Sequence, residues 1–511
     1  MKTTYLLAFW TACLRLTAIG AENIATPTPA RAVLKHSDVV FMYASDEEAY
    51  QAYGATFVAW GGASSKERVK THHALGIRCT GSMWCLTAGA KTLYENPDLR
   101  EAVARDIEGK PIEVPWQFDH TYKDMKTYFG CTNHPAFRAH LREKVREAMA
   151  GGADGLHVDD HLGVAQAATA FGGGLCDYCI AGFRDYLKKH ATAEQLAKAG
   201  VKALDHFDYR DLIRQHATTR DQYVKVRRKI PLMDLFEQYH LETAAEFVRE
   251  LYKVATEAAG HPILLSANAG LPDKRHTVVA KYLTHIVCEV RFNAPQGTAN
   301  LANAIAAFDM ARSLGKPLAA TASGWDWSHI RASKTDQLVR LWIALTYAHG
   351  QWFMVPHPTR QWCFNRELGT HWYQAPIEAY APLYRFIRAN AKWFDDFEAA
   401  DASSISVEQT AGSSPATGAT SHVLCTARRK GKSGPIILHL VNRDYDAKRD
   451  RTRPAKNVRI TFPAAMLSGL GDRAQLLSFD AQPQTVPIRT EGDTSHIELP
   501  ELRLWTLVAI Q

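Results

Sequence analysis

The chain has 511 residues, too many for one compact core and suited to a barrel of about 250 to 400 residues plus a smaller module. Hydrophobic residues make up 46% and charged residues 22%, values near globular averages that exclude wholesale disorder and a bundle of membrane spans. The formal charge of +7 is modest and scattered, and clusters such as Arg428-Arg429-Lys430 and Lys448-Arg449 fall in expected turns, where solvated loops rather than a nucleic-acid surface are expected.

The first 21 residues read as an export signal. Lys2 precedes the apolar run Tyr5 to Trp10, and Ala18, Gly20 and Ala21 offer a cleavage site, with Arg15 interrupting the apolar stretch. A secreted or periplasmic protein is therefore expected. Lipidation at Cys13 after Thr11-Ala12 is the alternative. No other segment supplies the ~18 to 20 apolar residues that cross a bilayer, so no membrane contact is expected beyond this leader. Oligomeric state leaves no mark in the sequence.

From Val39 onward, short β-prone runs alternate with helical stretches, the pattern of parallel βα units. Strands are predicted at Val39–Ser45, Thr56–Gly61, Arg78–Trp84, Gly155–Asp160, Ile263–Asn268, His285–Phe292, Pro317–Ser323 and Gln351–Val355. Helices are predicted at Ala136–Ala150, Leu235–Ala259, Leu301–Leu314, Thr335–Ala348 and Ile377–Trp393. Eight strands close a TIM (β/α)8 barrel, placed at residues 36–398. Two connections exceed what a bare barrel needs. Residues 88 to 134, rich in aromatic and polar types, are expected to wall the barrel mouth; the charged, helical 180 to 232 reads equally as lid, dimer surface or decoration.

Nine cysteines are present, and export permits disulfides. Cys176-Asp-Tyr-Cys179 follows Gly172-Gly173-Gly174 and is expected to hold a local disulfide or two thiols, since a structural metal needs two further ligands. Beyond Trp393 the composition changes. Runs at Val423–Ala427, Pro435–Asn442, Asn457–Phe462, Gln475–Phe479, His496–Leu499 and Leu504–Ile510 predict a small all-β sandwich at 403–511.

Active groups in such barrels end the strands and face inward, and period-two alternation selects them. In Gly155-Leu-His-Val-Asp-Asp160, Leu156 and Val158 share the outer face, leaving His157 and Asp159 inward. In His285–Phe292 the same test leaves Glu289 and Arg291 inward, and in Ile263–Asn268 it leaves Ser266 and Asn268. Two carboxyl groups across one barrel mouth are what glycosidic cleavage needs: one attacks or orients water, the other protonates the departing oxygen. Arg291 beside Glu289, and Asp160 beside Asp159, are placed to hold the two in different protonation states; buried ion pairing is the structural alternative.

Trp60, Trp84, Trp325, Trp327, Trp362 and Trp372 fall at or just past strand ends, where flat rings stack on sugar faces. Asp326 and His357 complete the expected binding shell. A competing set, His157, Asp159 and His161 with His357, has the residue types of a divalent-metal site. No G-x-S-x-G elbow, P-loop or H-E-x-x-H helix is present.

The stretch Gly151-Gly-Ala-Asp-Gly-Leu-His-Val-Asp-Asp-His-Leu-Gly163 resembles the fourth-strand segment of dextranase-type and α-galactosidase-type (β/α)8 glycoside hydrolases, and Val287-Cys-Glu-Val-Arg291 is similar to the later strand of the dextranase type. Ile437-Leu-His-Leu-Val-Asn-Arg-Asp-Tyr445 resembles the β-domain that trails such barrels. The resemblance implies Asp159 as nucleophile, with Asp160 the fallback, Glu289 as acid/base, a retaining outcome and no cofactor. It implies a secreted enzyme on a poly- or oligosaccharide. Two other readings stay open: a non-catalytic carbohydrate-binding barrel, and a metal-dependent hydrolase using His157, Asp159 and His161.

Overall fold

Strands buried on both faces are predominantly apolar, because helices cover one side and the barrel interior the other. Apolar residues dominate most of the strands here, with Thr80, His157, Ser266 and Glu289 among the polar exceptions: β1 (Val40–Tyr43), β2 (Phe57–Trp60), β3 (Arg78–Met83), β4 (Gly155–Val158), β5 (Leu264–Ala267), β6 (Ile286–Val290), β7 (Leu318–Ala322) and β8 (Trp352–Phe353). The computed structural model describes residues 33–61, 65–83, 87–356, 361–362, 372–373, 375–409 and 422–511. The leader, Cys13, Trp84 and His357 lie outside the described residues, as do the side chains of Trp362 and Trp372.

Strands β1 to β5 form one parallel sheet and β6 to β8 another. Parallel bridges join them into a closed ring: Asn268 to Val287 links β5 with β6, and Phe41 to Val355 links β8 with β1. The eight strands are those the sequence predicts; β3 and β4 begin where predicted and the other six are shorter at both ends. Gly155 opens β4 because a Cβ there would stand 2.5 Å from the Leu264 carbonyl oxygen of β5. Helices Glu47–Tyr53, Lys66–Ala74, Pro135–Ala150, Met233–Ala259, Ala302–Ser313, Asp336–Ala348 and Ile377–Ala389 surround the ring. Among the described residues no helix is long and apolar enough to cross a membrane.

The two long connections differ. Residues 88–134 form a loop layer with the short antiparallel pair Thr87–Ala88 and Tyr128–Phe129. The connection after β4 carries the helices Asp177–His190, Ala193–Lys198, Tyr209–Arg214 and Arg220–Val226, which bury Phe183, Tyr209, Tyr223 and Phe236 in a separate core. Cys176 and Cys179 sit at the start of the first of these helices as unbonded thiols.

C-terminally, two antiparallel sheets of six and four strands face each other. Leu438, Leu440, Val458, Ile460, Ile497 and Val508 fill the space between them. The outer face of the larger sheet is also apolar: Ile437, Val441, Trp505 and Leu507 join the barrel's own core. Trp505 stands edge-on to Phe386 and Phe394, with ring centroids 5.6 and 5.9 Å away. The β-domain is thereby fixed to the barrel by a buried apolar seam.

Candidate active site

The carboxyl ends of the strands surround a cavity of about 360 Å³. Tyr43 ends β1, Trp60 ends β2, Asp159 follows β4, Asn268 follows β5, and Glu289 precedes the last residue of β6; all five line the cavity. Trp116, Gln117 and His120 from the 88–134 loop layer form its wall, as the sequence suggests. Asp160 enters the cavity because the chain turns left-handed there (φ 45°) as β4 ends. Alternation would have sent its side chain the other way.

One carboxamide acts on both leading acids. Asn268 Nδ2 donates to Asp159 Oδ1 at 3.0 Å, and the same side chain stands near enough to the Glu289 carboxyl to favour its charged form. The charge of Asp159 in turn raises Glu289, so the two acids share one electrostatic environment. Asp159 Oδ1 also accepts the Asp160 backbone N–H at 3.0 Å, and the Trp60 indole nearby favours the charged form of the same carboxyl.

The surroundings separate the acids electrostatically. Burial, then the Asp159 charge, pushes Glu289 up to about 7, opposed only by Asn268. Burial also raises Asp159, but three donors work against it there: Asn268, the Asp160 N–H and Trp60. Asp160 is raised well above the carboxylate range by burial and by the charges of Asp159 and Glu289. Its Oδ2 is buried and without a partner among the described residues, and the nearby Trp116 indole only partly offsets the rise. The pattern is one acid hydrogen-bonded toward its ionised form and one kept protonated near neutrality. Tyr43 stands in the field of both Glu289 and Asp159, and burial followed by those charges raises its phenol well above the usual value.

Several residues selected from sequence lie elsewhere. Arg291 is exposed and absent from the cavity lining. Strand β6 stops at Val290 and Phe292 drops into the core against Trp342, ring centroids 4.8 Å apart, so Arg291 passes the rim into solvent. Glu289 consequently lacks the cation that the structural alternative required. Trp325 is 66% exposed on the helix Gly324–Ser333. Asp326 is a structural clamp: its carboxylate accepts the N–H groups of Phe292 and Ala294 at 2.8 and 2.7 Å and the Ser323 hydroxyl at 2.7 Å. Trp327 is buried, stacked on Tyr373 with centroids 5.5 Å apart.

His157 points inward as expected but forms the floor beneath the cavity. It is fully buried, shares a 2.9 Å hydrogen bond with Ser266, and meets the Trp60 ring at 4.3 Å. The His157, Asp159 and His161 set is not among the described groups whose ligand atoms come within 4.8 Å of one another. The left-handed turn at Asp160 ends the alternation and sends His161 Nδ1 to the Asn268 carbonyl oxygen at 2.8 Å.

Sequence reasoning missed Tyr43, Trp116, Gln166 and His276, all in the lining. The strand-end rule would have found Tyr43, the last inward residue of β1. Trp116 and His276 sit in the 3-10 segments Pro115–Gln117 and Lys274–Tyr282 of the connections, where strand alternation does not operate.

No protein-family model matches the chain. It is 24% identical over 275 residues to an alpha-agarase of Thalassotalea agarivorans, a match covering 52% of this chain and 18% of the agarase. The chain thus spans less than a fifth of that relative's length. Among solved structures, alpha-L-fucosidase isoenzyme 2 of Paenibacillus thiaminolyticus superposes with a TM-score of 0.52 at 10% identity, covering 94% of this chain and all of that one. An alpha-amylase of Geobacillus thermoleovorans gives 0.49 at 9% identity, over 93% and 98%. The fucosidase likeness shows the fold: a (β/α)8 barrel followed by an all-β domain, as the sequence resemblance implied.

Proposed function

We propose that this protein is a glycoside hydrolase acting on a poly- or oligosaccharide through Asp159 and Glu289. The observation that carries the reading is that Asp159 and Glu289, inward carboxyl groups from different strands, line one aromatic-walled cavity within each other's electrostatic reach, with Asn268 bonded to Asp159 beside them. Neither carboxyl has a cationic partner recorded, which sets the pair apart from a buried ion pair.

In the proposed reaction Asp159 attacks the anomeric carbon while Glu289, held protonated near neutrality, gives its proton to the departing glycosidic oxygen. Glu289 then takes a proton from water, whose oxygen displaces Asp159 and releases the sugar. Trp60 and Trp116 supply faces for the sugar ring. Asp160, kept neutral beside the nucleophile, donates a hydrogen bond to the substrate. Export through residues 1–21 accords with a polymer substrate outside the cell, and the partial likeness to an alpha-agarase makes agarose the first glycan to try.

The test is release of reducing ends from a glycan panel including agarose, with Asp159→Asn as control. Turnover in the parent and its loss in the variant supports the reading. Binding without turnover in the parent would favour the non-catalytic carbohydrate-binding barrel.

A further inference from the structure

Away from the cavity, three cysteines from two separate insertions converge. Cys131 follows the short strand Tyr128–Phe129 of the 88–134 layer; Cys176 and Cys179 open the helix Asp177–His190. All three are buried. Their Sγ atoms stand 3.3 Å (Cys131 to Cys176), 3.6 Å (Cys131 to Cys179) and 3.4 Å (Cys176 to Cys179) apart. A disulfide needs about 2.05 Å, so none of the three pairs is bonded. Thiolates about 2.3 Å from one tetrahedral zinc stand about 3.8 Å from each other, and a nearly equilateral sulfur triangle with edges slightly shorter than this fits such an ion. A disulfide uses two sulfurs and gives no reason for the third to sit equidistant from both.

We propose that Cys131, Cys176 and Cys179 bind a structural zinc ion that ties the loop layer of the cavity wall to the helical insertion. Each thiol releases its proton to solvent as the ion enters. Soft sulfur donors in a closed, buried setting select zinc over hard cations. The fourth face is bordered by the Asn133 carboxamide, whose Nδ2 lies 3.5 Å from Cys179 Sγ. His240 is nearby, fully buried with neither ring nitrogen hydrogen-bonded among the described residues. Cys176 precedes the first turn of its helix, where the helix dipole favours the negative charge that three thiolates leave around a divalent ion.

The site explains a local oddity. Around the cysteines the two insertions share a small core, Ala104, Ile112, Val114, Phe129, Val164, Ala167 and the cysteines, with Trp116 and Phe171 packed on it. Phe129 supports the cavity-lining Trp116 edge-on at 5.6 Å. A metal clip at Cys131 ties this small core together. The proposal stands whether or not the chain cleaves glycosides.

Elemental analysis of the full chain purified without chelators tests it. Zinc stoichiometric with protein is expected, falling to blank level in each of Cys131→Ser, Cys176→Ser and Cys179→Ser and retained in Cys425→Ser, which alters a thiol of the β-domain. Since a cysteine variant can misfold, the parent is also stripped and reloaded with cobalt(II); a sulfur-to-cobalt charge-transfer band and intense tetrahedral visible absorption are expected. Absence of bound metal together with absence of that band overturns the proposal, as does peptide mapping that finds two of the three cysteines disulfide-bonded in the purified protein.

Discussion

Two aspartates bracket strand β4, Asp154 just before it and Asp159 just after, and their surroundings have little in common. Asp154 Oδ2 accepts the Cys79 backbone N–H at 2.9 Å and faces His73 Nε2 at 2.8 Å, with a quarter of its side chain in solvent. Asp159 looks into the cavity with no cation recorded against it, beside two further carboxyl groups. The lower end of the barrel uses its carboxylate to satisfy a neighbouring strand. The upper end crowds three acids into one desolvated space, which costs stability and is sustained where reactivity needs it.

The largest effect expected from breaking this contrast is at the upper end. Asp159→Asn keeps the shape and the Asn268 contact but removes the attacking oxygen, so kcat/KM on a responsive glycan falls at least about a thousandfold. Its melting temperature holds or rises, because a buried like charge has gone. The same change removes one of the two causes that raise Glu289, so the Glu289 titration, followed by carboxyl infrared absorption or NMR, moves down.

Glu289→Gln comes next, costing about a hundred- to ten-thousandfold, less for substrates whose leaving group needs no proton. In the parent, activity falls as pH rises through about 7, where Glu289 gives up its proton; in the variant that limb disappears. Stability falls with rising pH as well, but over a lower window. The folded carboxyl holds its proton up to about 7 against an ordinary value of 4.5, so between those values the folded state binds more protons and stability declines as pH rises. The variant lacks that slope and melts a few degrees higher than the parent at pH 8.

What the sequence revealed follows the same division. The barrel strands were legible because burial on both faces leaves short, mostly apolar runs, and Asp159, Asn268 and Glu289 were legible because alternation holds through Glu289 inside β6 and one residue past the ends of β4 and β5. Past a strand end alternation is no longer enforced. Arg291 was misplaced one residue past β6, and Asp160 reached the cavity through a left-handed turn that spacing does not signal. Asp326 carried its own warning: Ser323-Gly-Trp-Asp326 has the spacing of a helix capping box, and Ser323 Oγ accepts the Asp326 N–H at 3.3 Å. In the β-domain the unpredicted strands Glu398–Ala400, Ser406–Gln409, Ala481–Pro487 and Arg489–Glu491 are the four sheet edges. Edges are kept polar and, in Ala481–Pro487, proline-bearing, which erases the pattern that marks a strand.

An intermediate effect sharpens the upper end further. Asn268→Ala removes the donor bonded to Asp159, a charge-assisted bond worth about 1.5 to 3 kcal/mol, and the dipole that favours the charged form of both acids. A ten- to hundredfold loss in kcat/KM is expected, with both limbs of the pH profile moved upward. A loss with unmoved limbs would mean that Asn268 contacts only the sugar.

The smallest effect on activity belongs to the lower end. Asp154→Ala leaves kcat/KM within about twofold, since the residue lies a strand's length from the cavity, but it strands the Cys79 N–H without an acceptor, a cost of about 1 to 3 kcal/mol. The His73 contact contributes little to that figure, because its partners are 44% and 26% exposed and such pairs are worth about 0 to 1 kcal/mol. Paired melts separate the two: His73→Ala should shift the transition far less than Asp154→Ala. Equal shifts would make the surface pair, rather than the strand N–H, the reason an aspartate opens β4.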